Sequence, residues 1–173
     1  MNTSGASGLL ARIRQANYSD LDRVIGNSQL VRHFMNLWPP FLFSSIRIQE
    51  VSDDFRHVRV RLGHNRLTGN YVGTLYGGSL YSMTDPFWMM MIARALGPEY
   101  AVWDAHGEIT FLKPGRQTVY AEFRITEADL DSIRAETADG QKHLRWFENE
   151  IVGKDGTVVA RVRKQVYVRR KRP

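Results

Sequence analysis

The stretch of sequence that decides the fold lies at residues 70–86 and reads NYVGTLYGGSLYSMTDP. Its paired glycines, Gly77 and Gly78, stand before a long apolar run, which a Gly-Pro pair closes. The run predicts one long apolar helix over residues 78–96. The free N–H groups at the start of a helix can bind an anion or polarise a carbonyl group, and glycine lets a ligand approach them closely. Asp85 follows two turns later among apolar neighbours.

Around this helix the sequence alternates between apolar and polar residues, which is typical of half-buried strands. Residues 1–17 are expected to form a flexible arm, and residues 18–173 a single domain. Within it, a helix begins at Ser19 and ends before Pro39-Pro40, and residues 128–140 form a longer connection that can include a helical turn. The fold class is therefore α+β, an antiparallel sheet of about six strands wrapped around one long apolar helix, with an extra N-terminal helix. The predicted strands cover residues 42–51, 57–62, 102–112, 118–126, 142–152 and 157–169.

Composition narrows the possible functions. The 173 residues include no cysteine, which excludes disulfides, thiolate metal sites and cysteine nucleophiles. The five histidines show no paired ligand spacing, so no metal site is expected. The net charge is +6, but the basic residues are scattered, which argues against nucleic acid as a partner. No stretch is apolar enough for a membrane span or a signal peptide, and a cytoplasmic protein is expected.

The spacing of the quoted stretch resembles the hotdog thioesterases of the phenylacetate-pathway type, over residues 30–170. Their motif runs Asn, five residues, His-Gly-Gly, six residues, Asp. The resemblance is closer to a less characterised branch, of tetrameric acyl-CoA thioesterases, which carries Gly-Thr before an aromatic-Gly-Gly and Asp-Pro after it. Two departures stand out: Tyr76 replaces the histidine, and Pro86 after the acid should kink the helix. The matching residues are Asn70, Gly73-Thr74, Tyr76-Gly77-Gly78 and Asp85-Pro86.

The resemblance implies hydrolysis of acyl thioesters, carried by coenzyme A or by an acyl-carrier protein, in a homodimer or homotetramer. The Gly78 N–H would polarise the thioester carbonyl. Asp85, from the facing subunit, would act as general base or nucleophile, and Asn70 would hold the water or the acid. No cofactor is implied beyond the coenzyme A of the substrate. The residues expected to contact substrate are Thr74, Tyr76, Gly77, Ser79, His106 and Arg116.

Each of these residues also has an ordinary structural interpretation. Asp85-Pro86 is a common device for starting a helix, Asn70 beside a glycine is a common turn residue, and paired glycines can serve close packing. A non-catalytic binder of acyl thioesters or fatty-acyl groups is therefore the alternative function. A hotdog dehydratase or hydratase ranks third. That chemistry pairs a histidine with an acid, and no histidine lies near Asp85 in the sequence.

Overall fold

The computed structural model describes residues 27–66 and 68–171. These residues form one six-stranded antiparallel sheet whose inner face packs against a central helical segment. The helices are α1 (Ser28–Leu37), α2 (Pro39–Phe43), α3 (Gly77–Ser82), α4 (Phe87–Leu96) and α5 (Glu127–Glu136), and the strands are β1 (Ile46–Val51), β2 (His57–Leu62), β3 (Tyr100–Phe111), β4 (Val119–Arg124), β5 (Lys142–Gly153) and β6 (Val158–Arg170).

The strand order is β1-β2-β4-β5-β6-β3, so β1 and β3 are the outer strands. Alternation places every second side chain of a strand toward the central helix. On β4 these inward residues are Val119, Ala121 and Phe123, all buried. The predicted α+β fold, with six strands around a central helix and a further helix before the sheet, is confirmed.

The central helical segment is not continuous. α3 ends at Ser82, and α4 begins at Phe87 with Pro86 as its N-cap residue. Proline has no N–H to donate to the preceding turn, and the kink that the sequence predicts at Pro86 is a full break between two helices. The Thr84 hydroxyl donates to the Tyr81 carbonyl oxygen at 2.7 Å and stabilises the turn. The break places Asp85 on an irregular turn rather than on a helix face.

α4 supplies most of the helical part of the core. Trp88 stacks on Phe147 of β5 at 4.7 Å between ring centroids and meets Phe123 of β4 edge-on at 5.3 Å. Phe87 lies 4.9 Å from Phe123 on the same measure. This aromatic cluster fixes α4 against the middle of the sheet, and with it the turn that carries Asp85.

Two local expectations were wrong. Residues 128–140 do not form an irregular connection, since α5 occupies most of them. It begins with a capping box in which the Thr126 side chain accepts from the Asp129 N–H and the Asp129 carboxylate accepts from the Thr126 N–H. Residues 39–43 form α2 and not the start of a strand, because proline is compatible with the first turn of a new helix.

The N-terminal predictions fall partly on residues that are not described. The arm at residues 1–17 and the helix start at Ser19 lie outside the described residues. The described helix α1 begins after Asn27, whose side chain accepts from the Gln29 N–H at 2.8 Å. Within the described residues, none of the helices has the length and apolar character that crossing a bilayer requires.

Candidate functional site

Asp85 is half-exposed in the turn between α3 and α4, where its carboxylate meets a lysine. Asp85 Oδ1 accepts a hydrogen bond from Lys164 Nζ at 2.6 Å, and the Asp85 side chain is 54% exposed. The Lys164 side chain is only 3% exposed. Asp85 is therefore not a lone acid among apolar side chains, because a buried ammonium group holds one of its oxygens.

Lys164 lies on the inner face of β6, where the other residues are apolar. Its neighbours along that face, Val162 and Val166, are fully buried. Across the sheet it pairs with Phe147 of β5 and Gly107 of β3. Burying an unpaired ammonium group costs several kcal/mol, so charged partners must compensate it.

Asp104 is the second partner. Its Oδ2 accepts from Lys164 Nζ at 3.0 Å, and its side chain is 24% exposed. Burial raises the pKa of Asp104, and this effect outweighs the opposing effect of the Lys164 ammonium. Burial alone would lower the pKa of Lys164, but its hydrogen bonds to Asp85 and Asp104 raise it well above the ordinary value. Lys164 is therefore an ammonium cation throughout the physiological range.

Gly107 makes room for this cluster. A Cβ atom added at residue 107 would overlap the Tyr81 hydroxyl and lie 3.2 Å from Lys164 Cδ. The Lys164 ammonium lies 4.9 Å from the centroid of the Tyr81 ring, which is within the range of a cation–π contact. Tyr81 thus fills the space over Gly107 and lies beside the cation. The name "acid–lysine cluster" is used below for Asp85, Lys164 and Asp104 together with Tyr81 and Gly107.

The two glycines at the start of α3 lie against aromatic rings. A Cβ atom on Gly77 would lie 3.0 Å from Phe111 Cζ, and one on Gly78 would overlap the Tyr76 ring. Close packing therefore favours glycine at both positions, which agrees with the ordinary structural interpretation. The N–H groups of the first helical turn have no acceptor within the helix. Tyr76 is itself exposed, so its ring can move.

Asn70 shapes the loop that leads to α3. Its Oδ1 accepts from the N–H groups of Val72 at 3.1 Å and Thr74 at 3.0 Å, and its Nδ2 donates to Thr74 Oγ1 at 2.8 Å. Within the chain as described, no hydrogen bond joins Asn70 to Asp85. Asn70 and Thr74 are therefore hydrogen-bonded to each other, and within the described chain Asn70 stabilises a turn.

The other predicted residues lie at separate positions. Ser79 is buried in the first turn of α3. His106 is exposed on β3, with Nε2 3.5 Å from Glu108 Oε1 and its ring edge-on to Trp146. Arg116 follows Gly115, whose carbonyl oxygen accepts from the Leu75 N–H at 2.8 Å, so Arg116 lies beside the loop before α3. Arg116 thus lies near the glycine segment. Among the described residues, no hydrogen bond joins Ser79, His106 or Arg116 to Asp85.

Sequence reasoning missed Lys164 and Asp104. The signal was present in β6, where inward positions carry Ala160, Val162, Val166 and Val168, and Lys164 falls in the same series. A charged residue in an otherwise apolar series marks a compensated site or a functional one. Asp104 gave no comparable signal, because a bulge between Asp104 and His106 shifts the register of β3.

Comparison with known proteins agrees with this fold. A sequence model of one protein family, described as a domain of unknown function (DUF4442), matches residues 26–168. No curated protein matches the chain. Among solved structures, the chain is similar to a Pseudomonas aeruginosa protein of unknown function described as a probable thioesterase, at a TM-score of 0.73 and 18% identity, covering 82% of this chain and 95% of that one.

Two further structures share the fold. A Haemophilus influenzae thioesterase matches at a TM-score of 0.55 and 12% identity, covering 90% of this chain and 92% of its own. The Escherichia coli PaaI protein, from the phenylacetic acid degradation operon, matches at a TM-score of 0.52 and 18% identity, covering 80% and 88%. The predicted hotdog fold is confirmed.

Proposed function

The chain belongs to the family described as a domain of unknown function (DUF4442), and we propose that it hydrolyses acyl thioesters. The observation that carries the proposal is the geometry of Asp85. One of its oxygens is bound by a buried ammonium group, and the carboxylate still reaches the protomer surface. Structures with the same fold are described as thioesterases, which agrees with this chemistry.

The proposed reaction needs two parts, an acid and a group that binds the carbonyl oxygen. Asp85 would act as general base, taking a proton from water as the oxygen attacks the thioester carbon, or as a nucleophile. The first N–H groups of α3, at Gly77 and Gly78, would stabilise the negative charge on the carbonyl oxygen. On the general-base route, collapse of the intermediate expels the thiolate, which takes up the proton that Asp85 removed from water. On the nucleophilic route, attack by the Asp85 carboxylate expels the thiolate and leaves an acyl–Asp85 anhydride, which water hydrolyses to free Asp85 and an acid whose proton goes to the thiolate. We propose that the glycines and the acid of one site come from different copies of the chain.

The outer strand β3 supports such an assembly. It is 12 residues long and pairs with β6 on one side. On its other side, no strand pairs with it in the described part of the chain. Long open edges are usually covered by another strand or another molecule. Phe111 at its end is 56% exposed and contacts Gly77, so the edge adjoins the proposed carbonyl site.

The carrier of the acyl group would contact a basic region beside the glycine segment. Lys113 and Arg116, together with one acidic residue, Asp155, line a groove of about 470 Å³ next to Gly115, whose carbonyl oxygen bonds the loop before α3. Arginine and lysine suit the phosphate groups of coenzyme A or of a carrier-protein arm. This position supports Arg116 as a substrate-binding residue.

A panel of acyl-CoA esters, assayed by release of free thiol, tests the proposal. Asp85→Ala should abolish turnover while the circular dichroism spectrum stays unchanged. Asp131→Ala is the matched control, because Asp131 is exposed on α5, where Arg134 binds it. Turnover that persists in Asp85→Ala would remove the proposed role of Asp85.

The alternative function, a non-catalytic acyl-thioester binder, is favoured by one observation. The Tyr76 ring packs over Gly78, in the region that a carbonyl group would approach, and Tyr76 stands where the resembling thioesterases carry histidine. Saturable binding of acyl-CoA by wild type, without thiol release across the panel, would establish the binder in place of the hydrolase.

A further inference from the structure

The acid–lysine cluster places a charged residue where the fold otherwise demands an apolar one. Lys164 replaces one member of a buried series that includes Val162 and Val166, at the inner face of β6. An apolar side chain of similar length would fill the same space without the cost of burying charge. Two carboxylates and an aromatic ring lie around the ammonium group, and a glycine lies beside the Lys164 side chain, so the site accommodates the charge at several positions at once.

The partners of Lys164 differ in exposure, and the difference indicates what the lysine does. Asp104 lies on β3 and is mostly buried, and its carboxylate helps to compensate the positive charge of Lys164. Asp85 is half-exposed and comes from the turn between α3 and α4. A short, irregular turn leaves a side chain several rotamers, and the bond from a fixed donor selects among them.

Only one oxygen of Asp85 is engaged. Lys164 Nζ binds Oδ1 at 2.6 Å, and no group of residues 27–66 and 68–171 bonds Oδ2. A carboxylate fixed through one oxygen presents the other in a defined direction. Alignment of this kind is what a general base or a nucleophile requires, and a misplacement of about 1 Å can cost roughly 100-fold in rate.

We propose that Lys164 is the positioning residue of the site: its buried ammonium group holds Asp85 Oδ1 and directs Oδ2 toward the substrate. Asp104 and Gly107 serve this role indirectly, Asp104 by compensating the cation and Gly107 by making room for it and for Tyr81. This inference rests on the proposed function for its kinetic consequence, but its structural consequence can be measured without any turnover.

The kinetic test compares Lys164→Met with Lys164→Arg on the acyl-CoA ester that wild type hydrolyses fastest. Lys164→Met keeps the length of the side chain and removes the charge, so kcat should fall by about 100-fold while KM changes by less than about threefold. Lys164→Arg keeps a donor to Asp85 and should recover part of kcat. Arg161→Met is the matched control, because Arg161 is exposed on the same strand and pairs with Glu150. Its kcat should equal that of wild type.

The structural test is the position of Asp85 in crystal structures of wild type and of the two Lys164 variants. Asp85 should adopt one rotamer in wild type and in Lys164→Arg, and several or a different one in Lys164→Met. If Lys164→Met does not fold with Asp104 left uncompensated, the double variant Lys164→Met/Asp104→Asn takes its place, with the same expectation. An unmoved Asp85, or a moved Asp85 with unchanged kcat, overturns the positioning role. Absence of turnover in wild type overturns the proposed function instead.

Discussion

The two outer strands of the sheet end it in different ways. At β1, the side chain of Asn36 takes the place of a neighbouring strand: its Nδ2 donates to the Ile48 carbonyl oxygen at 3.0 Å, and its Oδ1 accepts from the Ile48 N–H at 2.7 Å. Arg32 donates to the Gln49 carbonyl oxygen at 3.1 Å. At β3, none of the described hydrogen bonds closes the outer edge in this way.

The difference shows which edge of the sheet the described chain covers with its own residues. Helix α1 covers the β1 edge, and it does so with side chains that match the spacing of backbone groups. The open strand β3 carries Asp104 and Gly107 of the acid–lysine cluster and ends at Phe111, which contacts Gly77. The edge that no described residue covers is thus the edge beside the candidate site, where we place the second copy of the chain.

The largest expected effect concerns assembly. Phe111→Glu puts a charge into the proposed seam and should weaken the dimer by about 2 kcal/mol or more, roughly 30-fold in Kd. Phe43→Glu is the matched control, because Phe43 is an exposed aromatic residue next to β1. Sedimentation velocity over a concentration series measures both. Dissociation by Phe43→Glu alone would reverse the assignment of the two edges.

The next effect tests how tightly β3 packs beside the site. Gly107→Ala should lower the free energy of unfolding by about 1–3 kcal/mol, because the new methyl group overlaps the Tyr81 hydroxyl. Tyr81→Phe removes that hydroxyl and keeps the ring next to Lys164, so the double variant should recover most of the loss. Urea unfolding measures the three variants, and purely additive losses would show that the two residues do not oppose each other.

At the closed edge the expected effect is smaller. Asn36→Ala leaves the Ile48 N–H and carbonyl groups without their side-chain partner and should cost about 1–2 kcal/mol of unfolding free energy. Asn36→Asp keeps the acceptor and loses the donor, so its loss should be intermediate. Thermal unfolding followed by circular dichroism measures both variants. Stability equal to wild type in Asn36→Ala would mean that the edge is not closed by this side chain.

The smallest expected effect is a change in the pH dependence of the unfolding free energy. Burial raises the pKa of Asp104 above its ordinary value of 3.8, so the folded protein binds a proton at pH values where the unfolded chain has lost it. The contribution of Asp104 to stability therefore falls as pH rises from about 4 through the folded pKa. Asp104→Asn removes that fall. The unfolding free energy of the variant minus that of wild type should rise over this range. A constant difference would contradict the raised pKa of Asp104.

Much of the fold follows from the sequence because alternation and helical periodicity record burial directly. A kink was predictable from Pro86, since the missing N–H acts locally, but the full break into two helices was not. α5 was missed because its capping box, Thr126 with Asp129, uses aspartate where glutamate or glutamine is usual, and its apolar face is narrow. α2 was missed because proline can end one helix and begin another, and the sequence does not say which applies.

The site was harder to predict because its contacts cross the sheet. Asp85 was identified from its spacing to the glycines, but Lys164 lies 79 residues away in sequence and reaches it only through the fold. Asn70 bonds its own loop within the chain, and its expected role beside the acid of a facing copy stays a prediction, because the same side chain that can hold a water molecule can also close a turn. A charged residue within an apolar strand series is the signal that would have added Lys164.

The central claim is that Asp85 of one copy acts on a carbonyl group held at the glycines of another. Mixing Asp85→Ala with Gly78→Val, each inactive alone, tests it after denaturation and joint refolding. With random pairing, half of the dimers are mixed and each contains one intact site, so acyl-CoA hydrolysis should return to about one quarter of wild type. If acid and glycines of one site belong to the same chain, every site carries a defect, and the mixture would stay as inactive as its components.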